Sequence, residues 1–238
     1  MTNDLVQELY RAFLAIFQWP GRLDGVEVVR SPWVVGGDLL GVAVCAITGV
    51  LMAQRKQLDI VGVTVIAVVS GLGGGTLRDL LLGSGPVFWV AEPAGVVVAI
   101  LAGWSTFVLC HHIHFKPSAF AIPDAIGLAI FTILGTEKAL VHGHGWLVSA
   151  MMGVITGTFG GVGRDVLCNE VPSIFTHREL YATAALVGGL VFIACRIAGL
   201  TGWQCALIGL GVITGLRLAA IRWGLNAPGF RTSAKQPK

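Results

Sequence analysis

Two stretches of the sequence decide the fold: SGLGGGTLRDLLLGSGP at residues 70–86 and TGTFGGVGRDVLCNEVP at residues 156–172. Each joins a glycine cluster to an Arg-Asp pair within a long apolar segment. They belong to an internal repeat, because residues 38–86 align without a gap with residues 124–172, 86 positions later, and 14 of the 49 pairs are identical. The identities include the charged residues, so the match reflects more than a shared apolar composition.

The composition predicts an all-α polytopic membrane protein. Charged residues make up 12% of the 238-residue chain, hydrophobic residues make up 55%, and the mean hydropathy is +0.79. The composition excludes a disordered chain, a coiled coil and a secreted disulfide scaffold. Soluble domains carry about 25% charged residues, so the composition also disfavours an ordinary soluble enzyme. A bilayer core needs about 20 apolar helical residues. Four charge-free stretches have this character: 60–77, 93–110, 139–163 and 197–216.

The apolar segments predict seven transmembrane helices, near residues 34–53, 60–83, 92–112, 123–142, 146–168, 179–196 and 201–221. Each repeat holds three helices. Because three is odd, the second copy crosses the membrane in the opposite sense, which makes this an inverted repeat. The predicted organisation is an amphipathic extension at 1–33, a membrane domain at 34–222 and a basic tail at 223–238. Within the membrane domain, repeat one covers about 34–112, repeat two about 123–196, and the seventh helix about 201–221.

Loop charges predict the orientation in the membrane. Cytoplasmic loops are enriched in Lys and Arg. One side of the seven-helix arrangement carries the richer set, which is Arg55, Lys56, Lys116, Arg178 and the tail residues Arg222, Arg231, Lys235 and Lys238; the other carries Arg22, Arg30 and Arg196. The N-terminus is therefore predicted outside and the C-terminus in the cytoplasm of a bacterial-type inner membrane. Topology explains the net charge of +3, and no nucleic-acid partner is predicted.

The glycine clusters are the candidate ion pathway and gate. Glycine costs a helix interior about 1 kcal/mol relative to alanine, so each cluster predicts a broken helix. A break would expose main-chain carbonyl groups that can coordinate a cation. The alternative is that the glycines only let helices pack closely. The residues are Gly71, Gly73, Gly74 and Gly75 in the second helix, and Gly157, Gly160, Gly161 and Gly163 in the fifth.

The Arg-Asp pairs are the predicted charges of the pore region. A charged side chain at the centre of a membrane helix costs about 2.5–3.5 kcal/mol, so the same pair in both repeats indicates a shared polar environment. Pseudo-symmetry predicts that Arg78 pairs with Asp165 and that Arg164 pairs with Asp79. A purely structural ion-pair lock is the alternative.

Four further charges are candidates for a vestibule. Asp38 and Asp124 stand at equivalent positions near the starts of the first and fourth helices. They either cap those helices and make a favourable contact with the helix dipole, or line a charged vestibule. Glu137 and Lys138 lack charged counterparts in repeat one. They form either an ion pair near the outer surface, within the helix or between helices, or part of the pathway.

No enzyme chemistry is predicted. The glycine-rich segment lacks the GK[ST] ending of a phosphate loop, and HHIH at residues 111–114 matches no strong zinc pattern. We therefore expect no catalytic residues, no metal site and no cofactor other than a permeant ion and bound lipid.

The motifs GLGGGTLRDLLLG at 71–83, DAIGLAIF at 124–131 and TGTFGGVGRDVLCNEVP at 156–172 resemble a prokaryotic membrane family. It has been labelled a glycine-transporter domain and is similar to the trimeric intracellular cation (TRIC) channels. The resemblance covers about residues 34–222.

The resemblance implies a symmetric homotrimer of seven-helix subunits, each with its own pore lined by kinked second and fifth helices. It implies permeation by monovalent cations, potassium or sodium, with potassium the expected physiological ion. Phe159 replaces the first glycine of the second kink. A secondary transporter of a small solute such as glycine is the alternative, and a non-conducting structural or lipid-organising protein is a third class.

Overall fold

The computed structural model describes residues 32–56, 58–113, 120–175 and 180–225. Across these ranges every regular element is helical, which confirms the all-α prediction. The long helices are α1 Pro32–Ala53, α2 Ile60–Leu82, α3 Ala94–His112, α4 Ala121–Val141, α5 Trp146–Leu167, α6 Tyr181–Ile197 and α7 Gly202–Trp223. Their bounds lie within two residues of the predicted ones. The sequence pattern does not anticipate the one-turn helix Phe88–Ala91 or the 3₁₀ turns Gln54–Lys56 and Ser173–Phe175.

Most of the predicted N-terminal extension and of the basic tail lie outside the described residues.

Local signals define the ends of two long helices. The Asp59 carboxylate caps α2 by accepting a hydrogen bond from the Gly62 N–H at 2.8 Å, and Gly83 ends this helix at a φ of 57°. Only glycine adopts this left-handed conformation without steric cost. At the start of α7, the side chains of Thr201 and Gln204 cap each other's main-chain amides.

The surface of the bundle is suited to a bilayer. Within the described residues, five helices are long and apolar enough to cross a membrane: α1, α2, α3, α5 and α7. Large apolar side chains such as Leu101, Trp104 and Val108 of α3 point outward and are about half exposed. The helix α6 is apolar but has only 17 residues, and α4 carries three charges. Helices that are apolar on the outside as well as the inside are typical of a membrane bundle.

The helices pack as two similar groups. In the first group α1, α2 and α3 contact one another, and in the second α4, α5 and α6 do the same. The groups meet where α2 packs on α5 and α1 packs on α4, while α7 lies against α4 and α6. One apolar core surrounds Val42 and Ala46 of α1, and a second surrounds Leu128 and Ala129 of α4. Each group corresponds to one predicted repeat.

The two ends of the bundle are identified by contacts between distant segments. At one end Lys56, after α1, forms a 2.6 Å ion pair with Glu170, after α5. At the other end the Trp33 ring lies beside Gly202, so α1 and α7 start together. The helix α4 runs between the ends: Asp124 and Lys138 are 14 residues apart, which is about 21 Å at 1.5 Å per residue.

Candidate functional site

The glycine-rich helices α2 and α5 are continuous. Both keep helical geometry through their glycine clusters, over Ile60–Leu82 and Trp146–Leu167. The prediction that these helices lose regular hydrogen bonding at the glycines is therefore wrong. Propensity scales express the cost of glycine relative to alanine, and close packing against neighbouring helices compensates for it here.

The glycines form a close crossing between α2 and α5. A Cβ added to Gly74 would collide with the main-chain carbonyl oxygen of Thr156, and one added to Gly160 would collide with that of Ser70. Under the 86-residue shift Gly74 is equivalent to Gly160, and Ser70 is equivalent to Thr156. The two contacts therefore join equivalent residues of the two repeats. A Cβ on Gly73 would lie 3.7 Å from the Cα of Gly160. The backbones touch because neither helix has a side chain between them.

The other glycines of both clusters also pack closely against neighbouring residues. A Cβ on Gly71 would lie 3.0 Å from the Val42 carbonyl oxygen of α1, and one on Gly157 would lie 2.9 Å from the equivalent Leu128 carbonyl oxygen of α4. The remaining contacts are Gly75 with the Phe88 ring, Gly161 with the Tyr181 hydroxyl and Gly163 with Val69.

The first Arg-Asp pair belongs to a buried cluster at the ends of α2 and α4. The Arg78 guanidinium donates to Asp79 at 2.7 Å and to Asp38 of α1 at 3.4 Å. The Lys138 ammonium of α4 donates to the same Asp79 oxygen at 2.6 Å. The other Asp79 oxygen accepts the Phe88 N–H at 2.9 Å, which fixes the one-turn helix. We call these four charged residues the Lys138 cluster.

The second Arg-Asp pair forms an equivalent cluster at the opposite end of α4. Arg164 donates to Asp165 at 2.8 Å and to Asp124 at 2.8 Å. The Arg217 guanidinium of α7 donates to the other Asp124 oxygen at 3.5 Å. Asp165 also accepts the Ser173 N–H at 2.9 Å, which fixes the following 3₁₀ turn. We call Asp124, Arg164, Asp165 and Arg217 the Arg217 cluster.

The predicted pairing of Arg78 with Asp165, and of Arg164 with Asp79, is wrong. Each arginine instead binds its neighbour in sequence and the aspartate 40 positions earlier in its own repeat. The two clusters lie at opposite ends of α4, so a contact between them is too long for any side chain. The 40-residue spacing between aspartate and arginine is the same in both repeats, so each repeat forms the same internal contact. The inverted orientation of the repeats places the two Arg-Asp pairs at opposite ends of the bundle.

The N-capping predicted for Asp38 and Asp124 is not observed, but Asp124 lies in the first turn of α4, as the predicted dipole contact requires. The helix α1 begins at Pro32, six residues before Asp38, and both carboxylates are buried ligands of arginine.

Glu137 and Lys138 do form helix-to-helix pairs, as one alternative predicted. The Glu137 carboxylate lies 3.6 Å from the Arg196 guanidinium of α6, and Lys138 binds Asp79 of α2.

Sequence reasoning missed Arg217 and Tyr181. The Arg217 side chain is 1% exposed and stacks over the Tyr181 ring at 4.5 Å. A signal for Arg217 was present, since it lies between apolar segments of α7, before the terminal Arg222, and the insertion cost used for Arg78 applies equally to it. Tyr181 offers no comparable signal.

Of the HHIH motif the structure describes His111 and His112, while His114 lies outside the described residues. The rings of His111 and His112 meet edge to face at 5.6 Å on an exposed helix end. Among the described residues, no group of three or more His, Cys, Asp and Glu side chains is placed to hold a metal ion.

The ion pair outside the spans perturbs one titratable group. The Lys56 ammonium donates a hydrogen bond to Glu170 and so lowers the pKa of that carboxyl below its ordinary value. The pair links the turns after α1 and α5 at one surface of the bundle.

Comparison with known proteins gives the class. The chain is 43% identical over 195 residues to the inner membrane protein YadS of Escherichia coli K12, which covers 81% of this chain and 94% of YadS. It is 40% identical to a membrane protein of Vibrio cholerae over 81% of each chain. Together with the apolar helices, these matches define a multi-pass inner membrane protein.

The family follows from two further comparisons. A sequence model described as "Glycine transporter" matches twice, at residues 37–111 and 121–196. The fold resembles the TRIC trimeric intracellular cation channel orthologue from Rhodobacter sphaeroides, with 39% identity, a TM-score of 0.78 and coverage of 82% of this chain and 100% of that one. A prokaryotic TRIC channel solved in 0.5 M KCl matches with 30% identity, a TM-score of 0.75 and coverage of 82% and 98%. The chain therefore belongs to the TRIC channel family and has its fold.

Proposed function

We propose that the protein is a channel for monovalent cations, with potassium as its main ion. The observation that carries this proposal is the match to the Rhodobacter sphaeroides cation channel orthologue at 39% identity over the full length of that chain. At this similarity the helix contacts described above are expected to recur in the relative. The proposed assembly is a homotrimer in membrane lipid, with a pathway in each subunit.

The proposed pathway follows the crossing of α2 and α5. At this crossing the carbonyl oxygens of Ser70 and Thr156 face glycines of the opposite helix, so no side chain covers them. A helical carbonyl keeps a second lone pair that can accept a further ligand. When the helices move apart, these oxygens can replace water around a dehydrated cation. The structure has the helices in contact, which we interpret as the closed state of this gate.

The repeat geometry supports an inverted arrangement of seven membrane spans. The two charge clusters use equivalent residues at opposite ends of α4, as a pseudo-two-fold axis in the membrane plane requires. The basic loop at Arg55 and Lys56 lies at the same end as the Arg217 cluster, because α1 and α5 both finish there. With the positive-inside rule, that end is cytoplasmic and the Lys138 cluster faces outside.

Recording from the purified protein in a planar bilayer tests this function. With a KCl gradient we expect discrete current steps that reverse near the potassium equilibrium potential. Bilayers that receive only detergent are the control. Reversal near the chloride potential, or silence from folded trimers, would contradict the proposal.

A carrier for a small solute is the second candidate, and the description of the matching family model as a glycine transporter favours it. It predicts saturable uptake of radiolabelled glycine into proteoliposomes and no current steps. A structural protein would show neither activity.

A further inference from the structure

The hairpin of α6 and α7 holds two cysteines beside its turn. Cys195 lies in the last turn of α6, and Cys205 lies in the first turn of α7. We call them the hairpin pair, and both thiols are free in the structure. The Trp33 ring lies beside Gly202, so this turn is at the end of the bundle where α1 begins.

Two further cysteines lie at the opposite end of the bundle. The Cys110 carbonyl oxygen accepts a hydrogen bond from the Gln54 side chain at 3.3 Å. Cys168 follows the last residue of α5, two positions before the Glu170 that pairs with Lys56. These two thiols serve as internal comparisons for the hairpin pair, because the bundle separates them from it.

The register of α6 against α7 places the hairpin pair at one level. A Cβ on Gly188 of α6 would meet both Gly209 and Ile213 of α7. Cys195 follows Gly188 by seven residues, which is two helical turns and a rise of about 10.5 Å. Cys205 precedes Gly209 by four residues and Ile213 by eight, which brackets that level with rises of about 6 and 12 Å. Both cysteines therefore lie at the contact between the two helices.

The turn itself ties the hairpin pair to one residue. The Leu200 N–H donates to the Cys195 carbonyl oxygen at 3.2 Å, and the Cys205 thiol donates to the Leu200 carbonyl oxygen at 3.6 Å. Cys195 also packs against the buried apolar cluster that contains Cys205. A disulfide joins Cα atoms that are less than about 7 Å apart, and the glycine contact at Gly188 lets the two helices approach that closely.

The two thiols differ in their access to an oxidant. Cys205 is fully buried, whereas Cys195 is partly exposed. Protein disulfides form when a thiolate attacks an existing disulfide and a second thiolate resolves the mixed intermediate. Cys195 can be reached from outside, and Cys205 is the adjacent thiol that can resolve the intermediate. The proposed orientation places this turn outside the cytoplasm, in a compartment where disulfides persist.

We propose that Cys195 and Cys205 form a disulfide that closes the α6–α7 hairpin. The Cys195 thiolate attacks one sulfur of a disulfide oxidant and displaces the other sulfur as a thiolate. The Cys205 thiolate then attacks the Cys195 sulfur and displaces the second thiolate of the oxidant. The two protein thiols lose two electrons and two protons, and the oxidant takes them up to become two thiols.

The inference goes beyond the proposed channel function. It rests on the proposed orientation only for the supply of the oxidant, and it does not depend on ion flow.

Peptide mapping of the protein from bacterial membranes tests the disulfide. Cells are quenched with acid, and free thiols are alkylated with N-ethylmaleimide in denaturant. Trypsin cleaves between the two cysteines at Arg196, so peptides 179–196 and 197–217 each carry one cysteine. We expect these two peptides to remain joined, with a mass two hydrogen atoms below their sum, and to separate after dithiothreitol.

Single variants test the order of the two steps on the purified trimer. With oxidised glutathione, Cys205→Ala should trap glutathione on Cys195, because the resolving thiol is missing. Cys195→Ala should leave Cys205 free, because no oxidant reaches it. The matched controls Cys110→Ala and Cys168→Ala should keep the joined peptides.

Thermal melting gives a second readout on the folded trimer. A disulfide that closes a short loop restricts the unfolded chain, so the oxidised protein should melt about 4–10 °C above the reduced protein. Cys195→Ala should melt at the same temperature with and without dithiothreitol.

The proposal is overturned if wild-type trimers treated with oxidised glutathione still yield both cysteines as alkylated free thiols. Joined peptides that form with glutathione but not in cells would support the disulfide and contradict the proposed orientation. Because neither readout requires a current, the disulfide can be absent from a conducting channel and present in a silent one.

Discussion

The carbonyl oxygen of Thr156 occupies the space that a side chain on Gly74 would need. This contact brings two membrane helices together at their backbones, and the 86-residue repeat reproduces it between Ser70 and Gly160. The glycines of α2 and α5 therefore act by removing side chains from a helix crossing, and the helices remain intact. A crossing of this kind can separate without unwinding either helix, which suits a gate.

Alanine at either crossing glycine is expected to destabilise the protein. The added methyl group of Gly74→Ala or Gly160→Ala meets a main-chain oxygen, so the helices must shift. Overpacking of this kind costs about 1–3 kcal/mol. Reversible unfolding in mixed detergent micelles measures the change. The double variant should cost less than the sum of the single variants, because the first shift already makes room for the second methyl group.

Two glycines of α7 provide the control for these variants. A Cβ at Gly211 or Gly215 meets nothing within 4 Å. Gly211→Ala and Gly215→Ala should leave stability unchanged or raise it by up to about 1 kcal/mol through helix propensity. Equal effects at the crossing and at α7 would show that the crossing is not tight.

The charge clusters predict which pairs are energetically coupled. A double-mutant cycle between Arg164→Met and Asp124→Asn should give a coupling energy of about 1–3 kcal/mol, because the side chains share a 2.8 Å hydrogen bond. The cycle between Arg78→Met and Asp165→Asn should be additive within about 0.5 kcal/mol, since these residues share no partner. If the cycle between Arg78 and Asp165 showed coupling and the cycle between Arg164 and Asp124 did not, arginine would pair with aspartate of the other repeat, and the observed clusters would be contradicted.

Arg217 is predicted to be a structural residue of the Arg217 cluster. Removing one partner of a buried ion pair leaves an uncompensated charge and costs about 3–5 kcal/mol. Arg217→Met should therefore unfold at markedly lower denaturant than wild type. Arg222→Met is the matched control, because Arg222 lies on the same helix but is exposed, and its effect should stay within about 0.5 kcal/mol. Similar losses in the two variants would mean that Arg217 is not paired.

Much of the fold could be predicted from the sequence, since apolar length and the spacing of charges determine where helices form. The partners of Arg78 could not, because they depend on which helix ends the inversion brings together. The prediction that the glycine clusters break their helices was wrong for a related reason. Propensity describes an isolated helix, whereas Gly74 and Gly160 are compensated by a neighbour that the sequence does not show. Arg217 was predictable from its burial cost alone.

The Lys56–Glu170 pair predicts a pH dependence at the end of the bundle where α1 and α5 finish. The pKa of Glu170 is lowered by the ammonium, so the interaction is complete above the ordinary glutamate pKa and is lost as the pH falls through the lowered value. Carbon-13 NMR of labelled glutamate should show Glu170 titrating below an ordinary glutamate. Lys56→Met should return it to the ordinary value. A Glu170 that titrates normally in the wild-type protein would show that the pair does not form.

The most direct test of the proposed gate at the α2–α5 crossing is a reversible tether between the helices. A Cβ on Gly163 would lie 2.9 Å from Val69 Cγ1, close to the distance of about 3 Å between a Cβ and the far sulfur of a disulfide. The five native cysteines are unpaired, so wild-type protein controls for the oxidant. In bilayer recordings, oxidised V69C/G163C should carry no potassium current, and dithiothreitol should restore it. Full current through subunits shown by mass spectrometry to be cross-linked would contradict the account.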